Sequence, residues 1–278
     1  MNISMSKKRN NKKRLIHIAL IIGSIAMIFP FIWMILTSLK TFSEATRMPV
    51  TIFPEKLRFE NYIAAWKSLP FGKLFANTLI MMGGRIICAL VFSSMAGYAF
   101  AKINFPGKKI LFGIVIVQLM LPAQIFIIPQ YMMVAKLGWL NTIIALIVPG
   151  IVSAFGVFFL RQFYMTIPDE LVEAALLDGC NQWQIFSKIM LPLTKTSLMA
   201  LAIFTAVFAW SDLMWPLIVN MSMDKMTLAS GLASLKGQVV TNYPTMMAGS
   251  FIAMIPMMIL YMVFQKQFVE GIALTGGK

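Results

Sequence analysis

Apolar residues gather along this chain into six blocks, at 15–37, 74–101, 110–132, 141–161, 193–221 and 246–265. Each holds about twenty residues, the length an α-helix needs to cross a hydrocarbon core roughly 30 Å thick. None shows the alternation that barrel strands require, and backbone exposed to lipid has to satisfy its own hydrogen bonds. The pattern therefore predicts an all-α integral membrane protein with six transmembrane helices. Composition agrees: 59% of the 278 residues are hydrophobic and 12% charged, against about 45–50% and 25% in a soluble domain.

The basic run "KKRNNKKR" before the first block also describes the front of a signal peptide. The apolar part, Leu15 to Leu36, is too long for such a leader, and no small-x-small cleavage pattern follows before "SLK". The block reads as a retained helix. Six Lys and Arg lie in residues 7–14, while the near flank beyond the first helix carries Lys40 and Arg47. That asymmetry predicts a cytoplasmic amino terminus, and six crossings return the carboxyl terminus to the same side. The net charge of +14 raises the alternative of a nucleic-acid-binding arm. Topology and contact with anionic membrane lipids account for the cluster without it, so no nucleic-acid partner is expected.

Cys88 falls inside the second block and Cys180 on the predicted cytoplasmic side, which predicts free thiols in a reducing compartment. His17, the only histidine, starts the first helix and reads as interfacial, so no metal site is expected. No C-x-x-C, H-E-x-x-H or G-x-x-x-x-G-K-[ST] pattern occurs. The chain carries no cofactor motif and cannot hydrolyse ATP by itself. A membrane-embedded enzyme would need acids with histidines near a surface, whereas Asp169, Glu170, Glu173 and Asp178 crowd one predicted helix with no histidine among them.

The connections differ in kind. Residues 41–73 form an outer segment with a short amphipathic piece around "FENYIAAW", expected to lie along the membrane surface. "KINFPGKK" at 102–109 is a tight basic turn. Residues 222–245 face outward, rich in small residues and not expected to be rigid without a partner. Between the fourth and fifth blocks, "TIPDELVEAALLDGCNQWQIFSKIMLP" predicts a helical hairpin on the cytoplasmic side. Pro168 suits a first turn and Asp169 and Glu170 its positive end. Leu171, Ala174, Ala175 and Asp178 recur on one narrow face, and Gly179 ends or bends the helix. Trp183, Ile185, Phe186 and Ile189 then supply a second apolar set. The hairpin is either an amphipathic loop on the inner leaflet or a docking element for a soluble partner.

Glu173, Ala174, Ala175, Gly179, Ile189, Leu191 and Pro192 fit the spacing EAA-x3-G-x9-I-x-LP, the signature of bacterial ABC importer permeases. "PFIWMILTSLK", "NTLI", "AGYAFAKINFPGK", "WSDLMWPLIV" and "QKQFVEGIALTGGK" extend the resemblance over nearly the whole chain, toward carbohydrate permeases typified by the smaller membrane subunit of the maltose importer. The resemblance implies a single permease domain over 1–278: a basic tail at 1–14, six helices over 15–265, a coupling loop at 163–192, an extracytoplasmic loop at 222–245 and a cytoplasmic tail at 266–278. It implies a bacterial cytoplasmic membrane, a second permease subunit forming a heterodimer, two cytoplasmic ATPase subunits that bind ATP and Mg, and an extracytoplasmic sugar-binding protein. Glu173, Ala174, Ala175, Asp178, Gly179, Ile189, Leu191 and Pro192 would then couple to the ATPase. Ser230, Gly231, Leu232, Ala233 and Ser234 would contact the binding protein.

A sugar pathway calls for aromatic faces and hydrogen-bonding groups, and Trp210, Ser211, Asp212, Trp215 and Asn220 supply both within the fifth block. Interfacial placement of the tryptophans is the plainer alternative. An acid at that depth needs a partner or water. Arg85 is a candidate partner, and a pathway role for Asp212 is favoured because aromatic and polar residues surround it in sequence. Import of amino acids or peptides, and transport independent of ATP, are the competing functions.

Overall fold

The computed structural model describes residues 2–235 and 241–276, with side chains described over 13–235 and 241–265. Every regular element among them is helical. The chain divides into two compact units, residues 1–69 with 234–254, and residues 70–233 with 255–278.

In the first unit, α1 (Asn2–Ser38) begins well ahead of the apolar run, so the basic cluster continues its helix. Its apolar stretch, Lys13–Ser38, buries nothing within the chain, and Leu20, Ile25 and Met27 are each more than 60% exposed. Apolar surface on that scale requires lipid or a partner chain to cover it. The end of α1 is tied down by short polar contacts. Ser38 Oγ and Tyr62 Oη lie 2.7 Å apart, and Asn61 Nδ2 donates to the carbonyls of Ser38 and Lys40, each at 2.8 Å. Lys40 is buried, its ammonium donating to the Thr51 carbonyl and standing 5.0 Å from the centre of the Trp33 ring. The helix α2 (Phe42–Thr46) opens with a capping box between Thr41 and Glu44. The amphipathic piece around "FENYIAAW" is α3 (Glu60–Ser68), with Tyr62 edge-on to Phe251.

The second unit is built on α4 (Phe71–Lys102), an unbroken helix of 32 residues. Along the chain follow α5 (Lys108–Met120), α6 (Ile127–Lys136), α7 (Ile143–Ile147), α8 (Ala154–Thr166), α9 (Glu170–Leu177), α10 (Gln182–Gln184), α11 (Leu191–Leu193), α12 (Lys195–Ser211), α13 (Met214–Val219) and α14 (Leu228–Ala233). The last helix, α15 (Tyr243–Gly276), is shared by the two units. Small residues let α8 pack directly on α4. A methyl carbon added to Gly97 would stand 3.0 Å from the Arg161 nitrogen, and one added to Gly156 would stand 2.5 Å from Ser93 Oγ. Close backbone approach through Gly and Ser is how helices associate where no hydrophobic drive separates them from lipid.

Three of the six apolar blocks are not the single helices that the sequence predicts. Among the described residues, three helices are long and apolar enough to cross a membrane alone, and three bent pairs pass the same test together. In the third block, Pro122 separates α5 from a 3-10 turn at Ala123–Phe126 and α6, with a bend of 105°. The fourth turns by 42° after the 3-10 turn Val148–Gly150, because Pro149 has no N–H for the helical ladder. The fifth ends as a regular helix at Ser211, where Asp212 adopts extended backbone before α13. Upstream, a 76° bend at Thr194 separates α12 from the hairpin before it. Apolarity marked the blocks but is blind to these interruptions, which lie at "LPAQ", "VPG" and "WSD".

Candidate functional site

The predicted hairpin is present. Its first limb, α9, starts after Pro168 and stops at Gly179, whose φ of +82° is the left-handed conformation glycine tolerates. Two closing hydrogen bonds, Gly179 N to the Leu176 carbonyl at 3.0 Å and Cys180 N to the Ala175 carbonyl at 2.9 Å, are those of a Schellman cap. A second capping box, Asn181 with Gln184, opens the return limb, which winds as a π-helix over Ile185–Met190. The Leu191 N–H reaches back five residues to Phe186. Pro192 then crowds the turn behind it and has no N–H to give, and the wider winding accommodates that.

Packing splits the predicted docking face. Val172 and Ala175 turn inward, joining Tyr98, Tyr164, Ile185 and Met190 in one buried cluster. Glu173, Ala174, Asp178 and Gly179 remain exposed, with Leu171 at 42% and Leu177 at 90%. The two alanines thus do not share a surface, since neighbouring helix residues point about 100° apart. In the return limb Ile185 and Phe186 are buried, Ile189 and Leu191 half-buried, and Trp183 and Pro192 exposed. Both limbs are held by the end of α4. Tyr98 Oη donates to Gln182 Oε1 at 2.8 Å and its ring stands 5.4 Å from that of Phe186. Lys102 donates to the Ile167 carbonyl and pairs with Asp169. Sequence reasoning missed these two residues; the signal was a tyrosine and a lysine one helical turn apart at the end of an apolar helix.

About 20 Å up α4 from Tyr98, at the rise of an α-helix, Arg85 meets the helix breaks. Its Nε donates to the Leu146 carbonyl and Nη1 to Asp212 Oδ2, both at 2.8 Å. The pair is well sheltered, with side-chain exposures of 14% and 22%. Asp212 Oδ1 also accepts from the Trp215 N–H at 3.4 Å, capping the first turn of α13. The Ala145 carbonyl, whose helical donor would be the nitrogen of Pro149, accepts instead from Trp215 Nε1 at 2.8 Å. Around these groups lies a cavity of about 310 Å³, lined by Arg85, Gln124, Gln130, Pro149, Asp212 and Trp215 among others. Arg85, the candidate partner named from the sequence, thus pairs with Asp212, and Asp212 and Trp215 line one cavity.

The other three residues of the predicted pathway are not in that lining. Trp210 is half-buried with its ring 6.2 Å from Phe75, and the exposed Ser211 hydroxyl donates to the Val207 carbonyl. Asn220 is fully buried, bridging the carbonyls of Lys225 and Thr142. The first half of the stretch not expected to be rigid without a partner is tied to α4 by side-chain hydrogen bonds. Asn77 Nδ2 holds the carbonyls of Asp224 and Met226, and Thr78 accepts from the Leu228 N–H. In α14, Ser230 is buried with its hydroxyl at Thr227, and Gly231 is buried against Leu74. Leu232 and Ala233 are half-buried and Ser234 exposed; residues 236–240 lie outside the described residues.

The profile of a family described as "binding-protein-dependent transport system inner membrane component" matches residues 89–273. An arabinooligosaccharides transport system permease protein, AraQ, of Halalkalibacterium halodurans is 37% identical over 254 residues, 90% of this chain and 91% of that one. An sn-glycerol-3-phosphate transport system permease protein, UgpE, of Escherichia coli is 30% identical over 264 residues, covering 92% and 94%. A chain from the crystal structure of a bacterial ABC transporter involved in the import of the acidic polysaccharide alginate superposes with a TM-score of 0.80 at 22% identity, covering 94% of this chain and 98% of its own.

Proposed function

Because this chain belongs to the binding-protein-dependent transport system inner membrane component family, we propose that it is one membrane-spanning half of an ATP-driven importer whose solute is a sugar, in keeping with its oligosaccharide-carrying relative. A second permease subunit completes the pathway. Two ATPase subunits, which bind ATP and Mg, engage the hairpin on the cytoplasmic side, and a sugar-binding protein delivers solute from outside, where Leu232, Ala233 and Ser234 are the better-placed part of the 230–234 segment. The chain itself performs no catalysis. The observation that carries this reading is the capped hairpin, which presents Leu171, Ala174 and Leu177 outward while α4 grips both its limbs.

A partner that binds this surface differently in its nucleotide-bound and nucleotide-free states can shift the helices behind it, by as much as its differential affinity allows. Copurification supplies the first test: two ATPase subunits and a second permease should travel with the chain, whereas a stable chain that transports alone would overturn the reading. ATP hydrolysis by the assembled complex should then rise with a neutral oligosaccharide and its binding protein. A response to amino acids or peptides alone would reassign the solute.

A further inference from the structure

The cavity beside Arg85 is composed unlike the surfaces around it. An unbroken helix supplies Arg85, and the breaks in three apolar blocks supply Gln124, Gly150 and Asp212. Interrupted backbone at membrane depth is tolerated where it is buried in protein or lines a cavity, and such breaks commonly shape solute sites. The polar groups have a particular balance. Arg85 carries one positive charge and five N–H donors, of which Leu146 and Asp212 account for two. Asp212 cancels the charge at 2.8 Å. Gln124 and Gln130 add neutral amides that both donate and accept, and Trp215 adds an apolar ring. With its indole N–H committed to Ala145, that ring has only its apolar surface left to offer.

We propose that this cavity is the chain's solute contact, and that the Arg85–Asp212 pair makes it a filter for uncharged polyhydroxylated solutes by leaving several donors and acceptors but no net charge. The proposal rests on the importer reading above and adds its selectivity. An acidic sugar entering the cavity would lose hydration and meet an arginine already neutralised, while hydroxyl groups would find amides and guanidinium donors to replace lost water. Lining residues, rather than overall fold, would then separate this chain from relatives named for a phosphate-bearing or acidic solute.

The test is direct binding to the purified complex without its binding protein, followed by tryptophan fluorescence, with arabinotriose and maltotriose as neutral probes and trigalacturonate as the acidic one. The wild type should bind at least one neutral probe and bind trigalacturonate at least about tenfold more weakly, a difference of about 1.4 kcal/mol. Gln130→Ala should weaken neutral binding several-fold. Gln124→Lys, which leaves the pair intact, should raise trigalacturonate affinity about tenfold, within the range of one added charge-assisted hydrogen bond, and that gain should fade with salt. Asp212→Asn should act in the same direction, and adding Arg85→Gln should cancel its gain. Equal wild-type binding of acidic and neutral probes, or no change in preference with Gln124→Lys, overturns the filter. If neutral sugars stimulate the complete importer yet these variants leave binding unaltered, the filter fails while the importer reading stands; if no neutral sugar stimulates or binds, the importer reading fails first.

Discussion

Arg85 and Asp212 each stand where a lone charge would be costly, on the order of 2.5–3.5 kcal/mol at the centre of a bilayer. Each also repairs the backbone, Arg85 at the Leu146 carbonyl and Asp212 at the start of α13. Asp212→Asn should strand the guanidinium and lower the yield and Tm of folded complex. Adding Arg85→Gln should recover part of the loss, giving a coupling energy of about 0.5–3 kcal/mol in a double-mutant cycle; additive losses would mean the two do not act as a pair. Glu44, which is buried, makes a different prediction. Backbone N–H groups of Thr41 and Glu55 bond its carboxylate, and they hold its pKa below the ordinary 4.5. A carboxyl lowered by folding stabilises the fold above its ordinary value and loses that contribution as acid carries the pH down through the lowered one. Wild type should therefore melt above Glu44→Gln at about pH 6, and the gap should narrow at about pH 3.5. A gap independent of pH would mean that shape, not charge, is what Glu44 contributes.

Among the elements, α4 joins the two places of interest, since one rigid helix carries Arg85 at the cavity and Tyr98 and Lys102 at the hairpin. Tyr98→Phe removes one hydrogen bond to the return limb, and Lys102→Met removes the pair and the carbonyl bond at the first. Each change should cost about 1 kcal/mol of local stability. Solute moved per ATP hydrolysed should fall while assembly stays intact, and an unchanged ratio in the double variant would remove α4 from the coupling route. At the hairpin corner, Gly179→Val forces a β-branched residue to a φ of +82°, a strain of about 1–2 kcal/mol or more. With nothing within 4 Å to collide with, the expected outcome is a membrane-inserted complex whose hydrolysis no longer drives transport. Glu173→Lys, reversing an exposed charge on α9, should do the same without strain. Normal transport by both would argue against docking there.

The whole molecule leaves much apolar surface uncovered by its own chain, most of all along α1, as expected of a subunit finished by lipid and a partner. Its orientation can be read with impermeant maleimide in a background where Cys88 and Cys180 are serine. Met48→Cys, at an exposed position of the segment after α1, should react in intact cells. Asn104→Cys, in the exposed turn between α4 and α5, should react only after permeabilisation; the reverse pattern would invert the topology. Sequence by itself determined the membrane class, the number of apolar blocks and the hairpin with its glycine corner, because hydrophobic length, charge and turn chemistry act locally. It also offered Arg85 as a candidate partner of Asp212, from the cost of isolated charge, while favouring a pathway role for the acid. Only the tertiary structure decided that Ala175 turns inward while Ala174 does not, that Asn220 and Ser230 are buried braces, and that Gln124 and Gln130 face the same cavity as the ion pair. Those outcomes depend on where helices break and which faces then meet, and residues as far apart as 85, 124, 149 and 212 carry no local trace of their convergence.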